Sequence, residues 1–341
     1  MRSATAEDRD EQDVTVQPGV SLQEIQLPVR DKLEEVSREM GRIVASDLPL
    51  VGQVSAHLLA MRGKLFRPTL LLLSSEVDEN PDPRAITLAA TLELIHLATL
   101  VHDDAVDHSV LRRGMPTVNA LFSHQISVIM GDFLYSTALT HLVGVGSLEA
   151  LQILTRASTE MTLGEMRQLA VLDPLQFTEQ EYYDLIRSKT ASLMRTACEL
   201  GALSGANRYR DCLGDFGENL GMAFQIADDL LDYREDKETT GKPSGLDLRE
   251  HKVTLPLIYA LRGMSKASRS EVERLFDSDT VADRDISSVV RIVEESGGFE
   301  CARGRGDEFA ERAHDALAGI PDTVARQSLT ASISYVMERH S

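Results

Sequence analysis

Two Asp-Asp-x-x-Asp segments, each set inside an apolar stretch of helical character, constrain this 341-residue chain more than any other feature. The first is Asp103-Asp104-Ala105-Val106-Asp107 and the second is Asp228-Asp229-Leu230-Leu231-Asp232. Asp103 and Asp107 are separated by one helical turn, as are Asp228 and Asp232, so each pair shares a helix face. Like charges at that spacing repel, and charged residues are seldom buried without a partner. A cation between the two segments answers both problems. Carboxylate oxygens from facing helices suit Mg2+, which keeps several waters and shares its shell with phosphate oxygens. One such segment in a chain of net charge −19 reads as a solvated acidic face. Two copies, flanked by the apolar turns Leu97–Val101 and Met222–Phe224, favour a metal–diphosphate site.

The loops after these segments point the same way. His108 to Pro116 carries Arg112-Arg113-Gly114. Arg234 to Lys252 carries Lys237, Gly241-Lys242-Pro243-Ser244-Gly245, Asp247 and Lys252. Either loop alone reads as ordinary solvated surface. Basic groups that follow both acidic segments can neutralise phosphate oxygens, and glycines let a lid close.

Elsewhere the spacing of apolar residues is helical and no stretch sustains period-two alternation. Helices are expected at Leu22–Ala45, Thr69–Glu79, Ala85–Asp107, His124–Val143, Leu148–Val171, Thr178–Ser204 and Tyr209–Tyr233, with five more between Thr254 and Arg339. The expected fold is all-α: one large helical bundle around a central cavity, spanning residues 20–341. Residues 1–19 are polar, acidic and aperiodic, and read as a disordered tail rather than a signal peptide. No apolar run approaches the roughly 18 residues of a membrane span. The acidic charge argues against nucleic-acid binding. Cys198, Cys212 and Cys301 are odd in number and widely spaced, which suits reduced thiols and a cytoplasmic location. Only seven of the 35 basic residues are lysine. Salt adaptation and an arginine-favouring genome both account for that bias.

A longer series of residues resembles one known family. It comprises Gly63-Lys64 with Arg67-Pro68, His96, the first acidic segment with Arg112-Arg113-Gly114, and Gly131-Asp132. It continues through Gly164-Glu165-x-x-Gln168, Lys189-Thr190-Ala191, Gly221-x-x-Phe224-Gln225 before the second acidic segment, Lys242, Asp247 and Lys252-x-Thr254-Leu255-Pro256. From about Met61 to Pro256 the chain resembles the trans-isoprenyl diphosphate synthases, and the neighbourhood of His96 looks most like their long-chain polyprenyl members.

The resemblance implies a prenyltransferase that joins isopentenyl diphosphate to an allylic diphosphate and releases pyrophosphate. By the same resemblance, Asp103, Asp107 and Asp228 hold three Mg2+, with Asp232 acting through waters. Arg112, Lys189, Lys242 and Lys252 add positive charge to the leaving diphosphate. Lys64, Arg67, His96 and Arg113 hold isopentenyl diphosphate, and Thr190 and Gln225 orient the allylic group. Ala98 and Thr99, small and just below Asp103, let a growing chain pass, with Phe133 or Leu73 as candidate floors. A homodimer is expected. Three positions depart from the family pattern: Arg62 stands where the first glycine is usual, Leu65 where an arginine is usual and His251 where a glycine is usual. Short-chain synthases, class I terpene cyclases and non-catalytic synthase subunits are the alternatives. Cyclases usually replace the second acidic segment and need no site for Lys64, Arg67 and Arg113. Non-catalytic subunits typically lose one acidic segment.

Overall fold

The computed structural model describes residues 19–61, 63–234, 245–278 and 280–338. The expected tail, apart from Gly19, lies outside the described residues, as do Arg62, Lys237 and Lys242.

Helices dominate. They are α1 Leu22–Gln26, α2 Arg30–Ile43, α3 Pro49–Ala60, α4 Phe66–Glu76, α5 Arg84–Val106, α6 Val118–Leu121, α7 His124–Gly144 and α8 Leu148–Leu169. Then follow α9 Glu179–Ile186, α10 Ser192–Leu203, α11 Arg210–Arg234, α12 Leu246–Arg249, α13 Leu255–Gly263, α14 Lys266–Phe276, α15 Asp283–Glu295, α16 Gly298–Ala316 and α17 Val324–Glu338. Polar residues start many of them. Ser123 and Ser147 each accept the third amide of the following helix, and Thr178 closes a capping box with Glu181.

Helix α5 is the centre. Leu88, Leu92, Ile95, Ala98 and Val101 are buried, and α2, α4 and α7 surround it. A helix apolar on every side has to be enclosed. Its neighbour α4 buries the whole run Leu70–Ser75. Packing then passes from α4 to α10, from α10 to α11, and from α11 to α16. This row sets the C-terminal end of α5 and the C-terminal half of α11 facing a common cavity, so both acidic segments reach it.

Several features differ from the sequence expectation. The single helix expected at Leu22–Ala45 is split by a 3-10 turn at Leu27–Val29, around Pro28. Helix α3 was not anticipated, because Pro-Leu-Val-Gly-Gln-Val-Ser-Ala lacks charged residues to mark an outer face; Pro49 sits in its first turn, where a missing N–H is harmless. The expected helix from Thr178 to Ser204 is interrupted by a π-helical turn at Arg187–Ala191. The loop after Asp107 contains a small antiparallel pair, Leu111–Arg112 with Met115–Pro116. Finally, α5 and α7 are each long and apolar enough to cross a membrane by length and composition. Scattered Thr, His and Gly residues break the apolar runs in sequence without making the helices polar. Helix α5 spends that apolarity in the core, whereas α7 leaves Val128, Ile129 and Val143 exposed.

The α4–α10 crossing depends on close backbone approach at Gly201. A Cβ there would lie 2.1 Å from the Leu71 carbonyl oxygen and 2.7 Å from the Ser74 Cβ. Gly201→Val is therefore expected to destabilise the protein by roughly 3 kcal/mol or more. Chemical denaturation measures this, and an unchanged midpoint would show that the crossing can relax.

Candidate active site

A cavity of about 900 Å3 opens between α5, α8, the π turn and α11. Twelve of the residues anticipated from sequence line it: Arg67, His96, Ala98, Thr99, Asp103, Asp107, Arg112, Lys189, Thr190, Gln225, Asp228 and Lys252. A smaller neighbouring pocket of about 550 Å3 shares Asp107, Lys189, Thr190, Gln225 and Lys252 and adds Tyr182 and Asp247. Lys64, Arg113 and Asp232 are not part of either wall.

The middle aspartates, which the sequence reading passed over, turn inward. Asp104 is 4 % exposed and accepts both of its hydrogen bonds from Arg112 Nε, at 2.8 and 3.0 Å. Asp229 is 6 % exposed. It accepts from Tyr182 Oη at 2.6 Å and from Gln225 Nε2 at 2.8 Å. Because Gln225 donates to Asp229, its Oε1 is left to accept from Thr190 Oγ1, at 2.7 Å. The direction of each dipole along this chain is thus fixed by a buried carboxylate. Burial raises the Asp229 pKa, and Asp247 adds to the rise.

The environment of the first outer aspartate is set by burial and charge. Burial, Glu165 and Asp107 push the Asp103 carboxyl up to about 6, against the pull of Lys189 and Arg112. Asp103, Asp107 and Asp228 offer only oxygen, the donor set of Mg2+ or Ca2+. Asp232 does something else in this structure. Its carboxylate accepts the amides of Leu246 and Asp247, at 3.1 and 3.0 Å, and so anchors the returning chain at α12.

Cations ring the same space. Lys189 Nζ lies 2.6 Å from Glu165 Oε1 and donates to Gln168 Oε1 at 2.8 Å. The π turn that carries Lys189 is held by Ser188 and Ser192, whose hydroxyls donate to the Asp184 and Ser188 carbonyls. Such turns are frequent at functional sites. Lys252 Nζ pairs with Glu250 at 2.6 Å. Burial opposes its charge, but Glu250, Asp247 and Asp107 outweigh burial and hold its pKa above the usual value. His251, just before it, adopts a left-handed φ of 53°. That conformation suits the glycine usual in the family and strains a histidine, yet Lys252 still reaches the cavity.

The hairpin separates the two arginines that follow the first acidic segment. Arg113 and Gly114 form its two-residue turn, with φ of 51° and 75°, as a turn of this kind requires. Arg112, on the strand, faces Asp104. Arg113, in the turn, reaches across to Met61, donating to its carbonyl at 3.1 Å and passing close over Gly63. Arg67 meets His96 there, Nη1 to Nε2, at 3.0 Å. Arginine only donates, so His96 Nε2 accepts. Burial and three arginines hold the His96 pKa well below its usual value, leaving the ring neutral. Lys64 lies further out, against Tyr335 Oη at 3.1 Å. Leu65 takes a left-handed φ of 49° at the start of α4. His102 packs its ring on Gly131 and donates from Nε2 to the Val128 carbonyl at 3.1 Å, a packing role that joins α5 to α7.

The polyprenyl synthetase family model matches residues 48–293. The chain belongs to the polyprenyl synthetase family. An all-trans-nonaprenyl-diphosphate synthase (geranyl-diphosphate specific) of Rhodobacter capsulatus is 37% identical over 319 residues, covering 93% of this chain and 98% of its own. An octaprenyl diphosphate synthase of Escherichia coli is 35% identical over 296 residues, covering 86% and 91%. The crystal structure of a polyprenyl synthase from Caulobacter crescentus, complexed with calcium and isoprenyl diphosphate, superposes with a TM-score of 0.89 at 32% identity, covering 95% of this chain and all of the other.

The cavity is also lined by Tyr135 on α7 and by Ser158, Met161 and Thr162 on α8. Neither expected floor residue is there. Leu73 is fully buried in α4, and Phe133 packs against the core. Phe133 and Tyr135 are two residues apart, which puts them on nearly opposite sides of a helix. Thr99 donates its hydroxyl to the His96 carbonyl at 2.8 Å, which removes a polar group from the wall just below Asp103.

The Asp103 carboxyl yields a pH prediction. Its folded pKa, about 6, lies above the unfolded value. Ionisation therefore weakens the fold above about pH 6, and that loss is absent below the unfolded pKa. A divalent cation binds the ionised form and reverses the loss. Mg2+ or Ca2+ should raise Tm clearly at pH 8 and progressively less as pH falls through 6. An equal rise at pH 8 and pH 5 would count against carboxylate ligation.

Proposed function

We propose that this protein condenses isopentenyl diphosphate with an allylic diphosphate, releases pyrophosphate, and makes a medium- or long-chain all-trans polyprenyl diphosphate. The observation that carries this reading is a single cavity that runs from Asp103, Asp107 and Asp228 past the small side chains of Ala98 and Thr99 to Tyr135 and Met161. The carboxylates and the apolar side chains of Ala98, Leu100, Met161 and Leu163 thus line one space. The long-chain names of the relatives support the same reading.

The difficult step is breaking the allylic carbon–oxygen bond, which needs the developing pyrophosphate charge to be neutralised. Asp103, Asp107 and Asp228 would hold Mg2+, and the calcium in the Caulobacter structure supports a divalent ion. Bound there, Mg2+ supplies Lewis acidity and a template for the diphosphate. The chain contributes the rest. Asp104 aims Arg112, and Glu165 and Gln168 hold Lys189 at the cavity edge until an anion competes for it. Thr190 and Gln225, locked by Asp229, present neutral dipoles beside the cation without offering a nucleophile. The alkene of isopentenyl diphosphate then attacks, and its proton leaves to the departing pyrophosphate. His96 is engaged with Arg67, so it binds rather than abstracts. Lys242 is assigned to the diphosphate by resemblance alone, since it lies outside the described residues.

A homodimer completes the proposal. Leu121, Ile129, Val143 and Leu148 are exposed on and around α7 and α8, apolar side chains that a second copy would cover. A reducing cytoplasmic setting is part of the same reading, with Cys198 buried and no disulfide among the three cysteines.

Incubation with labelled isopentenyl diphosphate and a panel of allylic primers tests the reaction. Asp228→Ala should lower turnover roughly a hundredfold or more with the fold intact, because it removes a metal ligand worth several kcal/mol. Near-normal turnover with Mg2+ present would sink the assignment. For chain length, Ala98→Phe should keep catalysis and shorten the product to roughly three or four isoprene units, an estimate from an obstruction about one turn below the metal site. Chromatography of the dephosphorylated products reads this out. Wild-type products already that short, or unchanged long products from the variant, would overturn the path past Ala98.

A further inference from the structure

Glu93 is a buried carboxyl group that the mechanism above leaves without a role. It lies on α5, three residues before His96, and so on the same helix face. It is 8 % exposed, and its Oε2 is enclosed without a hydrogen-bond partner. Glu93 lines a small pocket of about 130 Å3 together with His96, Gly63 and Arg113. His96 and Leu100 belong both to this pocket and to the large cavity, so the two spaces adjoin. Arg67, bonded to His96, carries a matching irregularity: its Nε is also enclosed without a partner. An unsatisfied buried donor and an unsatisfied buried acceptor thus occupy one cluster, an arrangement that is costly if left so.

The charges explain why a carboxylate sits there. Arg67 is buried, and Arg113 repels it. Glu93 is the anion that partly counters both effects on Arg67, and Arg67 and Arg113 in turn pull against the burial that raises the Glu93 pKa. Two guanidinium groups held together in an apolar pocket need such a counter-charge. The pocket also has room for a bridging water, whose share of liquid volume is about 30 Å3.

We propose that Glu93 is a positioning residue for isopentenyl diphosphate, holding Arg67 and Arg113 in the geometry that receives its diphosphate. This rests on the reading of Arg67, His96 and Arg113 as the isopentenyl diphosphate site. It makes a prediction opposite to simple electrostatics. Removing a negative charge beside an anion site should tighten binding if charge alone mattered. If Glu93 holds the arginines, removing it should weaken binding.

The test compares Glu93→Gln, Glu93→Asp, Arg67→Lys and the double variant Glu93→Gln/Arg67→Lys in steady-state kinetics with both substrates. Glu93→Gln should raise KM for isopentenyl diphosphate tenfold or more, with the allylic KM within twofold and kcat within threefold of wild type. Glu93→Asp, which keeps the charge but retracts it by one methylene, should fall between Glu93→Gln and wild type. In the Arg67→Lys background Glu93→Gln should add little, because partners that act as one unit are not additive. An unchanged or lowered isopentenyl diphosphate KM in Glu93→Gln overturns the proposal, as does full additivity in the double variant. If Glu93→Gln does not accumulate as folded protein, an unchanged KM in Glu93→Asp overturns it instead. If Arg67→Lys itself leaves the isopentenyl diphosphate KM unchanged, the site reading has failed rather than the role of Glu93.

Discussion

The bond between Asp104 and Arg112 decides much of the cavity. An apolar bundle cannot enclose a free carboxylate, so the middle residue of the first acidic segment has to find a cation. It finds one eight residues later, on the first strand of a two-strand hairpin whose turn needs two left-handed residues. With Asp104 satisfied inward, Asp103 and Asp107 remain on the cavity side of α5, crowded by Glu165. The second segment follows the same logic with neutral partners: Tyr182 and Gln225 satisfy Asp229. Asp104 in the first segment, and Asp229 and Asp232 in the second, hold the architecture. Asp103, Asp107 and Asp228 remain on the cavity wall for a ligand.

The outer aspartates were legible in the sequence because their spacing alone puts them on one face. The long helices were legible for the same reason, and their observed ends fall within a few residues of the expected ones. Tertiary partners were not legible. Nothing local in Asp229 announces Tyr182, which is 47 residues earlier. Glu93 reads in sequence as one polar residue in an apolar helix, and only the fold brings Arg67 and Arg113 to it. The α7 side chain that lines the cavity was missed for a rotational reason. Large side chains are easy to find in α7, but choosing Tyr135 over Phe133 requires the helix phase, which a nearly uniformly apolar helix does not reveal.

The positive charges are divided between two faces with little shared material. Arg112 and Lys189 are tied to carboxylates next to the first acidic segment. Arg67, His96 and Arg113 form their own cluster beyond it. The hairpin turn lets consecutive arginines serve different clusters, and the cost is a strained backbone at Arg113. Leu65 and His251 adopt the same left-handed conformation at the edges of these clusters.

The π turn at Arg187–Ala191 has a consequence for how this sequence can change over evolutionary time. It closes with the Ser192 amide on the Arg187 carbonyl, one residue wider than a regular turn. A one-residue deletion there would restore an ordinary helix and improve local hydrogen bonding. It would also rotate whatever precedes it by about 100° relative to α10, so that Lys189 and Thr190 could no longer both face the cavity. Local stability and catalysis therefore pull this segment toward different lengths, and a length polymorphism here would be purged even though the shorter chain folds more regularly.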